Sequence, residues 1–291
     1  MAFTIKELET LTGIKTHTIR IWEQRYNFLK PSRTITNIRS YNNEELKTLL
    51  SVALLNKYGY KISKIDNMLP EQRSLEVLSL NEAEAKKESI VNELIGCMVD
   101  LKPNEFEAIL NYQIKKFGLT ATLTTVIFQF LNRVGILWQI NRINPSHEHI
   151  VSNIIRQKII VATEELPYRS EKDSLLILFL PENEHHELGL LYVYYLVRGR
   201  GLQVIYLGAN TPLKEIKYVA DSKQATHLYL HLTAIPSKLN FEEYIATLSA
   251  ENKTCKILIS GFVANNKYLN RLKNIHPLKS LPEVIEYLNS L

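Results

Sequence analysis

The stretch PENEHHELGLLY, Pro181 to Tyr192, follows the apolar run SLLILFL at residues 174–180 and sets two adjacent histidines among three glutamates. Around it the chain alternates between two periods. SLLILFL, LQVIYLG, THLYLHL and CKILISG are short, apolar and rich in β-formers, and LGLLYVYYLVRGRG, PLKEIKYVADS and NFEEYIATLSAE between them repeat at helical spacing. Over residues 172–291 this predicts a parallel sheet in a doubly wound α/β fold. Ligands in that architecture sit beyond the carboxyl ends of the strands, which is where PENEHHELG falls. Two readings stand open for it, a solvated strand-to-helix turn and an imidazole–carboxylate site.

Upstream, from about Glu84 to Glu165, the period is helical. Candidate helices are Ala85–Val99, Asn104–Phe117, Thr120–Ile140 and Ser146–Thr163, separated by DLKP, GL and RINP, with prolines where helices begin. Four helices of this length with short connections predict a bundle. Residues 71–83 are polar, lack heptads and read as a linker. Cys97 and Cys255 form neither a metal-ligand spacing nor a disulfide framework. No apolar run resembles a signal segment or a membrane span, so the expectation is a cytoplasmic protein with no membrane partner.

The 291-residue chain carries 35 Lys and Arg against 30 Asp and Glu, and residues 1–75 alone hold 12 against 7, so the net positive charge is all N-terminal. There TIKELETLTGI puts Ile5, Leu8, Leu11 and Ile14 on one face, Thr4 and Glu7 form a capping box, and Gly13 breaks the helix. KTHTIRIWEQRY follows, with Ile19 and Trp22 inward and Lys15, His17, Thr18, Arg20, Arg25 and Tyr26 outward. A short helix, a glycine turn and a basic second helix make a helix-turn-helix whose second helix fits the major groove. LKPSRTITNIRSYNNEEL then alternates as a small hairpin, a wing that brings Arg33, Asn37 and Arg39 to phosphates, and Asn42 or Asn43 caps a further helix.

TIKELETLTGIKTHTIRIWEQRY, the wing, RSYNNEELKTL and NKYGYKISKI resemble the winged-helix DNA-binding domain of MerR-family transcription regulators over about residues 3–70. That implies double-stranded promoter DNA as a partner. Glu184-His185-His186-Glu187-Leu188-Gly189 resembles the ExHxxG form of the cobalamin-binding signature. The resemblance implies His186 as the lower axial ligand of cobalt, with Glu184 on its other ring nitrogen and Gly189 allowing close approach of the corrin. His185, offset by one, is a surface residue on this reading. Trp138 followed by Glu148-His149 resembles the helical lid of light-sensing, adenosylcobalamin-dependent MerR regulators of the CarH/CarA type, which implies Trp138 over the upper face of the cofactor and Glu148 and His149 along the adenosyl group.

Three departures from that family qualify the match. Gln139 stands where the family has a cobalt-binding histidine after the lid tryptophan, which implies a weaker light response unless His147 or His149 substitutes. His231, with Thr233 nearby, replaces a serine after the third strand, and Ser260-Gly261 replaces paired glycines after the fourth. A bulky imidazole and an extra hydroxymethyl would narrow the groove for the nucleotide tail.

The expected architecture is therefore multidomain. A winged helix-turn-helix occupies 1–70, a linker 71–83 and a four-helix-bundle lid 84–165, followed at 172–291 by a doubly wound parallel sheet of flavodoxin-like, cobalamin-binding type. The expected function is a DNA-binding transcription repressor without catalytic residues, its oligomeric state and operator grip controlled by adenosylcobalamin, with light as an open second input. It would be a homo-oligomer, a dimer or tetramer when cofactor-bound. One alternative is a MerR-type regulator whose cobalamin-like domain has lost the cofactor and senses another ligand or a protein. The other is a corrinoid-dependent enzyme, which would need a substrate barrel of about 250 residues for which the chain has no room.

Overall fold

The computed structural model describes residues 2–33, 37–139, 144–167 and 173–291, and the side chains of Trp138 and Gln139 also lie outside the described residues. Contacts divide the chain at Ile154/Ile155 into two units. In the first, α1 (Ile5–Thr12) starts at the expected capping box: Thr4 N donates to Glu7 Oε2 at 2.5 Å, and Glu7 N donates to Thr4 Oγ1 at 3.4 Å. Gly13, at φ 74°, ends the helix in the left-handed conformation that glycine adopts without strain. Glu9 of α1 then accepts from Thr16 N at 3.1 Å, so the first helix caps α2 (Thr16–Arg25). Ile19 and Trp22 point into the core, as their spacing predicts.

The hairpin is present as β1 (Ser32–Arg33) and β2 (Arg39–Ser40), antiparallel with Arg33 opposite Arg39; its tip, residues 34–36, lies outside the described residues. Asn42 caps α3 (Asn43–Lys57) with Glu45 as its capping-box partner, and α4 (Ile62–Asp66) follows. The stretch 71–83, expected as a linker, instead contains α5 (Pro70–Ser79). Proline at its first position and Gln72, which accepts from Leu69 N at 2.8 Å, nucleate a helix that the polar composition conceals.

The helices that follow are α6 (Ala83–Val99), α7 (Pro103–Phe117), α8 (Leu119–Thr122), α9 (Phe128–Gln139) and α10 (Pro145–Glu164), the last crossing the division between units. The single helix expected at 120–140 is interrupted by a π-turn at Leu123–Ile127. Its cause is local: the hydroxyls of Thr122, Thr124 and Thr125 donate to the carbonyls of Gly118, Thr120 and Ala121 four residues back, competing with the helical ladder. Phe106 and Phe130 meet in the core with ring centroids 5.3 Å apart. The helix-turn-helix segment does not stand apart from these helices, because α3 packs on α6. Lys47–Asp100 at 2.8 Å and Lys57–Glu88 at 2.6 Å border that contact. Such part-exposed pairs contribute roughly 0–1 kcal/mol each and set register more than stability.

The second unit carries a parallel sheet. Its elements are β3 (Leu175–Pro181), α11 (Leu188–Gly199), β4 (Gln203–Thr211), α12 (Leu213–Lys223), β5 (His227–Leu232), α13 (Phe241–Glu251), β6 (Lys256–Gly261), β7 (Ile275–Leu278) and α14 (Leu281–Asn289). Strand order is β4-β3-β5-β6-β7, the flavodoxin-like arrangement expected. Buried on both faces, β3 and β5 read as nearly continuous apolar runs, which is why they were legible. The fifth strand, β7, was not expected: it has four residues, one of them Pro277, and proline is tolerated there because β7 is an edge. No helix among the described residues is long and apolar enough to cross a membrane.

Two glycines carry different loads. At Gly261, φ 88° and ψ −157°, an added Cβ would stand 2.3 Å from the carbonyl oxygen of Leu232, whereas at Gly13 it would meet nothing within 4 Å. Gly13→Ala should cost about 1–2 kcal/mol from backbone strain alone, and Gly261→Ala about 3 kcal/mol or more, because backbone must also shift. Thermal melts of the two variants check this; equal losses would refute the close packing of β5 against β6.

Candidate functional site

Doubly wound sheets open a crevice where the strand order reverses, here between the carboxyl ends of β3 and β5. The loop from Glu182 to Glu187 leaves β3 at that point. Asn183, at φ 65°, turns it, and Asn183 N donates to Asn210 Oδ1 at 2.9 Å while Asn210 N donates to the Glu184 carbonyl at 3.1 Å. The loop is thus tied to the end of β4. Glu184 is carried inward, 2% exposed, and His186 outward, its side chain 70% exposed. One Glu184 oxygen, Oε1, accepts from the His186 backbone N–H at 2.7 Å and lies 2.7 Å from His186 Nδ1. Burial by itself would raise the Glu184 carboxyl; the side-chain and backbone hydrogen bonds from His186 together outweigh it and hold the group below its ordinary range. An ionised carboxylate there places the imidazole proton on Nδ1 and leaves Nε2 as the basic nitrogen. His185 is exposed.

The last residue of the loop, Glu187, was quoted in the sequence without a role. It accepts from Arg156 Nη1 at 2.5 Å and from Tyr206 OH at 3.1 Å, so it fastens the start of α11 to α10 and β4. Only the fold could pair it with these partners, which lie 31 positions before it and 19 after it. Burial, then the neighbouring Glu187 charge, raise the Tyr206 phenol above its ordinary range, so it remains a donor.

The other expected contacts of this crevice fall into two groups. Gly189 opens α11, and His231 and Ser260 face one another across β5 and β6. An added Cβ at Gly189 would stand 2.4 Å from His231 Cδ2 and Nε2, so the imidazole lies directly on that backbone. His231 Nδ1 is 2.8 Å from Ser260 Oγ, which is 2.6 Å from Tyr229 OH. Burial pushes the His231 imidazole down to about 4, against a weak pull from Glu184, so the ring is neutral. Thr233 is exposed just beyond β5 and joins no hydrogen bond described here, while Gly261 serves the β5–β6 packing. The residues at the mouth therefore fit an imidazole-bound cofactor, and behind them the His231 ring lies against Gly189.

In the first unit, Glu148 and His149 lie in the opening turn of α10, where His149 Nδ1 is 3.1 Å from Glu148 Oε2 and Ser152 Oγ donates to Glu148 Oε1. A carboxylate in a first helical turn also favours the helix dipole. His147 is half-buried, and its Nδ1 has no hydrogen-bond partner among the described residues. Trp138 and Gln139 end α9; their side chains lie outside the described residues.

On the helix-turn-helix and wing, Lys15, His17, Arg20, Arg25, Arg33 and Asn37, expected at DNA, are exposed, and Thr18 and Tyr26 are half-buried. Arg33 Nη1 donates to Asn37 Oδ1 at 2.8 Å. Arg39 departs from the expectation that it lies open to phosphates. Its Nε donates to Glu23 Oε2 at 2.6 Å, and Tyr41 OH donates to the same oxygen at 3.2 Å. Glu23, to which the sequence analysis gave no role, thus fastens the wing to α2, and Arg39 acts first as its partner.

Residues 3–72 match the family model described as MerR HTH family regulatory protein, and residues 90–162 the model described as B12 binding domain. The chain is 25% identical over 244 residues to the HTH-type transcriptional repressor CarH of Myxococcus xanthus, covering 82% of this chain and 81% of that one. It is 27% identical over 215 residues to the repressor CarA of the same organism, covering 73% and 70%. Among solved structures, the Methanosarcina barkeri monomethylamine corrinoid protein superposes with a TM-score of 0.58 at 15% identity, over 70% of this chain and 100% of that one, a likeness of fold. The chain joins a MerR-type helix-turn-helix to a B12-binding domain and is homologous over most of its length to the CarH and CarA repressors.

Proposed function

We propose that this protein is a transcription repressor whose hold on promoter DNA is set by a cobalt corrinoid, in its adenosyl form, and that it is a regulator rather than an enzyme. The observation that carries the reading is the Glu184–His186 pair, 2.7 Å apart, at the crevice of a doubly wound sheet in a chain that also bears an exposed basic recognition helix. A bound corrinoid would supply a cobalt ion that an imidazole nitrogen can hold, together with a cleavable adenosyl group. His186 would present Nε2 to that ion. Glu184 would hold the Nδ1 proton, fixing the tautomer and strengthening the nitrogen as a ligand. Gly189 would leave the start of α11 without a side chain to obstruct approach.

Trp138, Glu148 and His149 are assigned to the adenosyl side because Trp138 followed by Glu148-His149 resembles the helical lid of CarH/CarA-type regulators. Ligand bound only by the ordered state stabilises that state by mass action. We assign to it a homo-oligomer, a dimer or tetramer, in which several helix-turn-helix domains grip one operator and gain effective concentration. Light is a further proposed input, weakened here by Gln139, because an amide is a poor cobalt ligand beside imidazole. The His231 ring against Gly189 favours one second reading, in which the domain has given up the corrinoid and answers to another ligand or protein.

Two experiments test the reading. His186→Ala should abolish or greatly weaken adenosylcobalamin binding, followed by cobalt absorption, while exposed His185→Ala should change little; identical spectra and affinities for wild type and His186→Ala would reject the assignment. For DNA, Arg20→Ala and Arg25→Ala should each weaken binding of a cognate promoter and lower the slope of log K against log salt by about 0.9 per lost phosphate contact. Arg39→Ala should lower the melting temperature as well, since Glu23 loses the shorter of its two hydrogen bonds and keeps that from Tyr41. Wild-type affinity and slope in both Arg20→Ala and Arg25→Ala would show that α2 is not the reading helix.

A further inference from the structure

Cobalamin carries its own lower base on a tether. A protein histidine that takes the lower position displaces that base, and the displaced tail must be housed on the side of the ring from which the histidine comes. In this chain that side is the switch-point crevice between β3 and β5. The crevice holds the imidazole of His231.

His231 is pinned at two places. One edge of the ring lies on Gly189, where Cδ2 and Nε2 come within 2.4 Å of the position a Cβ would take. The other edge is held through Nδ1 by Ser260 Oγ at 2.8 Å, and Ser260 is held by the buried Tyr229 hydroxyl at 2.6 Å. Tyr229 and Ser260 are both buried, so the Tyr229–Ser260–His231 chain satisfies polar groups that water does not reach. Turning the imidazole out would break the bond between His231 and Ser260 and separate the ring from Gly189, which makes the ring costly to displace. Gly189 allows this packing because it has no side chain. The space that glycine clears is taken by the protein's own imidazole.

We propose that His231 is a corrinoid-selecting residue: with its ring on Gly189 the chain prefers corrinoids that lack the benzimidazole nucleotide, and complete cobalamin enters only when the ring turns away. This rests on the corrinoid reading of His186 and deepens it by naming the class of corrinoid. Ser260 is the positioning residue, acting through His231.

The test is a dark titration of wild type, His231→Ser and Ser260→Ala with adenosylcobinamide, which has no lower nucleotide, and with adenosylcobalamin, following cobalt absorption. Steric mismatch of a few atoms in a closed pocket discriminates by roughly ten- to two-hundred-fold, so wild type should bind adenosylcobinamide at least about tenfold more tightly. His231→Ser should remove that preference by tightening adenosylcobalamin alone. Ser260→Ala, which keeps the ring but frees it, should shift the ratio the same way by less. Circular dichroism melts confirm that each variant is folded, and the wild-type ratio stands as a test even if one is not. Equal affinity of wild type for the two corrinoids, or a ratio untouched by His231→Ser, overturns the role of His231 while leaving His186 as ligand. Failure of all three proteins to bind either corrinoid overturns the corrinoid reading, and this inference with it.

Discussion

Two parallel strands, β3 and β5, lie side by side at the centre of the sheet although β4 intervenes between them in sequence. Parallel crossovers are right-handed, so the connection out to β4 and the connection back to β5 pass on opposite faces, and the carboxyl ends of β3 and β5 are left without a helix bridging them. The candidate site of the second unit is built around this gap. It sets the loop from Glu182 to Glu187 at the rim, brings α11 in with Gly189 at its start, and turns His231 toward the same space. Neither the glutamate–histidine pair nor the His231–Ser260 pair would line a crevice without it.

At the rim hydrogen bonding outweighs desolvation. Glu184 is buried, and an unpaired carboxylate there would be expensive; two hydrogen bonds from one residue, His186, keep it charged. The same bonds orient the imidazole outward. Behind the rim, desolvation acts on His231 in the opposite sense and keeps it neutral, so that it sits as a small polar plug instead of a cation. Two histidines on one crevice are thus held differently, His186 Nδ1 by a buried carboxylate and His231 Nδ1 by a buried hydroxyl. On the DNA-binding segment Glu23 makes a comparable choice between Arg39, which it engages, and Arg20 and Arg25, which remain exposed on α2.

Much of the architecture was legible in the residues because it rests on local physics. The Thr4–Glu7 box, the Gly13 break, inward Ile19 and Trp22, and the apolar runs of β3 and β5 each depend on neighbours within a few positions or on burial of a whole segment. The Glu184–His186 contact was expected from the resemblance of that stretch to the ExHxxG signature, and the fold places the two side chains 2.7 Å apart. Helix α5 was missed because polar residues mask a cap, the π-turn because threonine back-bonding leaves no mark on hydrophobic period, and β7 because a short edge strand with proline reads as a loop.

Sequence by itself therefore determined the helix-turn-helix and the strand and helix alternation, since periodicity, capping and spacing are properties of adjacent residues. Tertiary structure alone decided that Arg39 belongs to Glu23, that Glu187 is shared by Arg156 and Tyr206, and that His231 lies on Gly189. Each of these pairs residues far apart in the chain, and which of several equally plausible partners a charged or aromatic side chain takes is settled by packing, where distance and loss of water select one.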